Sequence, residues 1–136
     1  YPVVQQKAFF EHWVRPYLRK DKRICVIISD AMRYEIGDEL LGLIRQEDRY
    51  SAELEPALST LPSYTQLGMA ALLPNKSLAI ADNDTGTVLV DGQSSQGTVN
   101  RTKILQAALG LVDIQVLDHV IVGPGQALSM AQQGWL

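Results

Sequence analysis

The stretch "VIISDAMRYEIGDELL", Val26 to Leu41, begins as a run of β-branched apolar residues, turns at Asp30 and continues with the spacing of an amphipathic helix. Upstream, "RICVIIS" carries no polar alternation, the pattern of a strand covered on both faces, and predicts a strand over 23–29 in a parallel or mixed sheet. Downstream, between Arg33 and Gln46, Ile36, Leu40, Leu43 and Ile44 share one helical face, while Glu35, Asp38, Glu39 and Arg45 lie mostly elsewhere. Strand then helix is the first half of a βαβ unit, so the expected class is α/β. Asp30 stands at the join. In open α/β sheets, ligands collect outside the carboxyl ends of the strands, where loops converge and helix N-termini present positive dipole ends. A carboxylate at that position can bind a divalent metal, hold a cationic group or cap the following helix. Position alone leaves all three open.

Outward from this stretch, "QQKAFFEHWVRPYLRK" places Ala8, Phe9, Trp13 and Tyr17 at helical spacing, with Pro16 as a kink or early end. "SAELEPAL" predicts a second strand, and "PSYTQLGMAALLP" a helix bracketed by Pro62 and Pro74. "SLAIAD" and "TVLVDG" read as two strands joined by the turn-rich "NDTG", followed by "DGQSSQGTVN" as a polar mobile loop. "RTKILQAALGLV" is helical in pattern, "QVLDHVIVG" is a strand candidate and "ALSMAQQGWL" ends the chain. Ser59 and Thr60 fall between the second strand and its helix, a position that suits a nucleophilic hydroxyl or an N-cap equally well. Two strand-to-helix crossings would then face one cleft.

Composition narrows the function classes. The chain has 136 residues, 46% of them hydrophobic, which suits one globular domain with a core. A net charge of −3 argues against a general nucleic-acid or membrane-surface binder, both of which need a concentrated basic face. The basic cluster "RPYLRKDKR" is local and reads as a solvated helix end. Cys25 is the sole cysteine, which excludes an internal disulfide and a multi-cysteine zinc site; within "ICVII" it reads as a small buried hydrophobe. No apolar run reaches the roughly 18 residues of a membrane span, and the N-terminus lacks a signal-peptide pattern. A cytoplasmic location is therefore expected. The opening "YPVV", without methionine, suggests a piece of something longer.

"VIISDAMRYEIGDEL" together with "ALSTLPSYTQLGMAALLP" closely resembles the PglZ domain, a branch of the alkaline phosphatase superfamily found in bacterial BREX phage-defence systems. The resemblance covers about residues 1–102 and implies a partial alkaline-phosphatase-like sheet flanked by helices, with a short α/β tail. In that superfamily an aspartate ending the first core strand binds a divalent metal, and a threonine or serine heading a later helix accepts the phosphoryl group. Carried over, the resemblance makes Asp30 a metal ligand, zinc being the expected ion, and Thr60 both the nucleophile and a metal contact. The implied reaction is hydrolysis of a phosphate or sulfate ester through a covalent intermediate on Thr60. Arg33 could contact an anion but reads first as a helix-surface residue, and His12, beside Trp13, reads as a surface or packing residue.

The superfamily completes its site with further Asp and His ligands, and His119 after Asp118 is the nearest match here. The tail, however, from Ala108 to Leu136, is more similar to the C-terminal end of RadC-type proteins, whose domain has a JAMM metalloprotease-like fold. Their His-x-His-Pro metal motif is missing from this sequence, so Asp118 and His119 read as structural. The expected organisation is a partial PglZ domain over 1–102 and a RadC-like remnant over 103–136, with a fusion joint between Arg101 and Leu111. A single carboxylate and hydroxyl would hold a metal weakly. The alternatives are a non-catalytic module that docks on other defence-system proteins, and a RadC-like protein of DNA metabolism.

Overall fold

The computed structural model describes residues 2–20, 22–30, 32–82, 84–110, 120–123, 126–129 and 131–133. The architecture is α/β, with small parallel and antiparallel sheets among helices. The N-terminal helical run starts as a 3₁₀ turn over Gln6–Ala8, widens to a π-helical turn over Phe10–Val14 and ends as α1, Arg15–Leu18. Pro16 has no N–H and its ring crowds the carbonyl one turn earlier. A π turn before it is one way a helix absorbs such a break. The run buries Phe10 and Val14, while Ala8, Phe9 and Trp13 are half-buried and Tyr17 is exposed. The buried face is therefore offset by one residue from the expected one.

Parallel pairing is present, between β1 (Val4–Gln5) and β2 (Ala57–Leu58), with Val4 opposite Ala57 and Gln5 opposite Leu58. The Trp13 indole N–H donates to the Glu55 carboxylate at 2.9 Å, tying the helical run to the segment that leads into β2. The expected strand over 23–29 does not form. Those residues belong to no strand and are exposed, Ile27 at 89%. Cys25, expected to be buried, is exposed with them. An apolar run becomes a strand only where neighbours take up its backbone N–H and C=O groups, and β1 pairs with β2 instead.

The helix after Asp30 forms as expected. It is α2, Tyr34–Arg45, and it buries Gly37, with Leu41 and Ile44 half-buried on the same face. The apolar face read from sequence is largely open, Ile36, Leu40 and Leu43 all being exposed. α3 is Thr65–Ala71, shorter than expected and beginning after the cis Leu61–Pro62 bond.

The compact part of the molecule is built on α3, a three-stranded antiparallel sheet and α4. Leu78–Ile80 (β3) pairs with Val88–Val90 (β4), which pairs in turn with Gln93–Ser94 (β5). The predicted loop "DGQSSQGTVN" is thus ordered: Asp91 and Gly92, at φ 49° and 83°, make the tight turn between β4 and β5, and Gly97–Leu109 forms α4. Positive φ at both turn residues is the Asp-Gly hairpin signature. α4 ends at Gly110 in the left-handed conformation, where glycine pays no Cβ penalty. Leu67, Ala70, Leu73, Val88, Val90 and Ile104 pack together as the core. In the tail, Val120–Gly123 (β6) pairs antiparallel with Gln126–Ser129 (β7), so part of the expected "QVLDHVIVG" strand is seen. Asp118 and His119 lie outside the described residues.

Candidate functional site

Thr60 sits two residues beyond the carboxyl end of parallel strand β2 and is half-buried, with exposed Ser59 before it. A hydroxyl there lies between the short β1–β2 pair and α3, which begins five residues later. The N-cap alternative for Ser59 and Thr60 finds no support, since α3 starts at Thr65, its N-cap is Tyr64 and no side chain caps it. Asp30 is exposed and lies in a turn four residues ahead of α2. The helix-cap alternative is equally unsupported for Asp30, because the N-cap of α2 is Arg33, in extended backbone, with no side-chain cap bond.

With no strand over 23–29, Asp30 does not stand at a strand end, and of the two expected strand-to-helix crossings only the one from β2 to α3 is present; α2 nevertheless neighbours the segment that leads into β2. A Cβ added at Gly37, one turn into α2, would lie 3.1 Å from Leu54 Cδ1, and Leu54 precedes β2 by three residues. Glycine lets the helix that follows Asp30 lie directly against the segment that leads to Thr60. Among the described residues, no group of three or more His, Cys, Asp or Glu side chains is placed to hold a metal ion. Asp30 and Thr60 thus stand as a carboxylate and a hydroxyl, two hard oxygen donors, fewer than the four or more ligands of a tight zinc or magnesium site. Arg33 is exposed at the start of α2. His12 is exposed in the N-terminal run and meets the Trp13 ring edge-on at 4.6 Å, a surface residue packed on its neighbour.

Sequence reading passes over Asp91. Its carboxylate accepts the Ser77 N–H at 2.7 Å, the Lys76 N–H at 2.9 Å and the Ser77 hydroxyl at 3.1 Å, and these bonds hold its pKa below the usual carboxylate value. With these bonds Asp91 pins the start of β3 to the β4–β5 turn. The signal is present as "VLVDG", a strand running into Asp-Gly. Beside it a cleft of about 380 Å³ is lined by Glu11, Arg15, Lys76, Asp91 and Ile104 among others, and Glu11 and Arg15 in its wall are already paired, Arg15 Nη2 donating to Glu11 at 2.6 Å. Its polar groups are largely satisfied. The buried Thr87 Oγ1 lies 2.6 Å from the Oγ1 of exposed Thr85 and donates to Gln96 Oε1 at 3.0 Å, joining the residue before β4 to the start of α4.

The family of BREX system PglZ alkaline phosphatase-like domains matches this chain over residues 9–129. Alkaline phosphatase-like protein BrxZ of Escherichia coli O9:H4 (strain HS) is 47% identical over 111 residues, 80% of this chain and 13% of that protein. Alkaline phosphatase-like protein PglZ of Bacillus cereus (strain H3081.97) is 41% identical over 100 residues, 74% of this chain and 12% of that protein. The chain therefore spans about an eighth of the length of these two relatives. A UPF0758 protein of Cellvibrio japonicus (strain Ueda107) is 54% identical over 125 residues, 92% of this chain and 53% of its own length. UPF0758 proteins are of RadC type, so this likeness accords with the RadC-like tail. No solved structure matches the chain.

Proposed function

Because the chain belongs to the family of BREX-system PglZ alkaline phosphatase-like domains, we propose that it contributes a metal-binding carboxylate, Asp30, and a nucleophilic hydroxyl, Thr60, to a phosphoester-hydrolysing site. The observation that carries this reading is that α2, which follows Asp30, rests through Gly37 on Leu54, in the segment that delivers Thr60 from the end of a parallel strand. In such a site Thr60 Oγ1 would give up its proton and attack phosphorus, the ester oxygen would leave and be protonated to the alcohol, and water would then cleave the phosphothreonine, releasing inorganic phosphate and restoring the hydroxyl. A divalent ion, when bound, would supply positive charge for the transferring oxygens. Two donors do not make that site by themselves, and the remaining ligands would have to come from outside the described residues.

The reading is tested on the full chain by calorimetric titration with Zn²⁺ and Mg²⁺ and by trapping a phosphoryl label from an aryl phosphate. Weak binding, in the millimolar range typical of few-ligand sites, is expected, and Asp30→Ala should abolish it. Any label should sit on Thr60 and vanish in Thr60→Ala. Binding indifferent to Asp30→Ala, or turnover that survives Thr60→Ala, would sink the assignment. A second reading, a non-catalytic module that docks on other proteins of a defence system, is favoured by the exposed apolar surface around Ile27 and α2. Co-purification with such a protein, with neither metal binding nor label, would decide for it. Among the described residues no helix is long and apolar enough to cross a membrane.

A further inference from the structure

The largest unexplained feature runs up to Asp30, the metal ligand of the proposed site. Residues 23–29 hold Ile24, Cys25, Val26, Ile27 and Ile28, strand-favouring or apolar residues that are all exposed, and among the described residues they make no backbone ladder. A row of open N–H and C=O groups flanked by β-branched side chains is a template for pairing with another strand. The charges at its two ends say which strand. Before it, residues 19–23 carry four cations, Arg19, Lys20, Lys22 and Arg23, against Asp21; after it, residues 30–39 carry four carboxylates, Asp30, Glu35, Asp38 and Glu39, against Arg33. A parallel partner of the same sequence would set like charges together. An antiparallel one sets basic end against acidic end, twice.

We propose that residues 22–30 are a self-complementary docking strand, paired antiparallel with the same segment of a second copy of this chain about a two-fold axis at Val26. A two-fold perpendicular to an antiparallel pair must pass between a residue and its own copy, which restricts the register. With Val26 opposite Val26, Ile24 faces Ile28, Cys25 faces Ile27, and Lys22 faces Asp30 at both ends. Lys22, Ile24, Val26, Ile28 and Asp30 then share one side of the ladder, so both ion pairs flank a stripe of β-branched residues. Such a contact is isologous and closes at two copies. The exposed Ile36, Leu40 and Leu43 of α2, which follows the strand directly, extend the apolar surface available to it, and a stable dimer needs roughly 800 Å² from each partner.

The association state of the full chain tests this by sedimentation velocity at tens of micromolar. The expected wild-type mass is twice the monomer's. Val26→Asp should give a monomer with unchanged far-UV circular dichroism, since Val26 is 42% exposed in the single chain. Lys22→Asp and Asp30→Lys, each alone, replace two attractions by two repulsions and should weaken the dimer by about tenfold or more. Mixed one to one, these two variants should pair again. Position 22 of the first variant, now acidic, then meets position 30 of the second, now basic, while the native Asp30 of the first meets the native Lys22 of the second. A misfolded variant would not be rescued by mixing. A monomeric wild type, a dimer indifferent to Val26→Asp, or a mixture as weak as its components overturns the proposal, and a partner protein that occupies the segment while the wild type stays monomeric counts against it equally.

Discussion

Asp91 shows how much one side chain can fix. It is a non-glycine residue at φ 49°, a conformation Asp tolerates better than most residues, and it accepts two backbone N–H groups and a hydroxyl from the start of β3. Asp91→Ala removes the acceptor while keeping the strained φ, and should lower stability by about 1–2 kcal/mol in urea unfolding. Asp91→Asn keeps an acceptor oxygen and tolerates positive φ, so it should lose less than half of that. The pH dependence has a definite sign. The carboxyl pKa is depressed in the folded chain, chiefly by the Ser77 N–H bond; its stabilising contribution is therefore fully present above the unfolded value near ~3.9 and is lost as pH falls through the lower folded value. Wild type should consequently lose more stability than Asp91→Asn between about pH 4 and pH 2.5, read as urea midpoints across that window. The Glu11 carboxyl, lowered by its hydrogen bond from Arg15, acts in the same direction.

At the scale of elements, α2 is held by a glycine. Gly37 in mid-helix costs about 1 kcal/mol relative to alanine in propensity, yet an added Cβ would meet Leu54 Cδ1 at 3.1 Å. The contact is the end of a half-buried leucine side chain, which can move by a few tenths of an ångström. Gly37→Ala should therefore be neutral to stabilising by up to about 0.5 kcal/mol, whereas Gly37→Leu should separate α2 from Leu54 and destabilise by about 1–3 kcal/mol; thermal melts of the two variants check this. The elements legible in the sequence are those decided locally. α2 shows its helical spacing, α4 a helical pattern only from Arg101 on, its first turn having read as loop, and β3 and β4 their apolar runs on either side of a turn. Residues 23–29 read as a buried strand because their composition is that of one, but a ladder partner is a property of the rest of the molecule and no local pattern reports it. The placing of Thr60 beyond a parallel strand follows from "SAELEPAL" running into "STLPS", although the strand closes to only Ala57–Leu58. Nothing in the spacing foretells that Gly37 brings α2 against the segment before β2, since that contact depends on how α2 lies over Leu54.

The whole molecule is unevenly stabilised. Its buried apolar residues concentrate in α3, β4 and α4, where Ala70, Val88 and Val90 are at most 1% exposed. The segment from Ile24 to Tyr50, by contrast, leaves most of its large apolar side chains open. Cooperative unfolding should accordingly report on the former. Val88→Ala removes two methyl equivalents from a site with no path to solvent, a transfer loss of about 0.8 kcal/mol each plus a cavity term, so it should cost about 2–3 kcal/mol. Ile36→Ala removes a larger group from a side chain that is 53% exposed and should cost less than about 0.5 kcal/mol, the range of surface substitutions. Both are measured as shifts in urea midpoint at constant slope, at a protein concentration low enough that self-association does not contribute. A larger loss at Ile36 than at Val88 would mean that the face of α2 is covered even in the single chain, and that the stabilising core extends to the side of the molecule that carries Asp30.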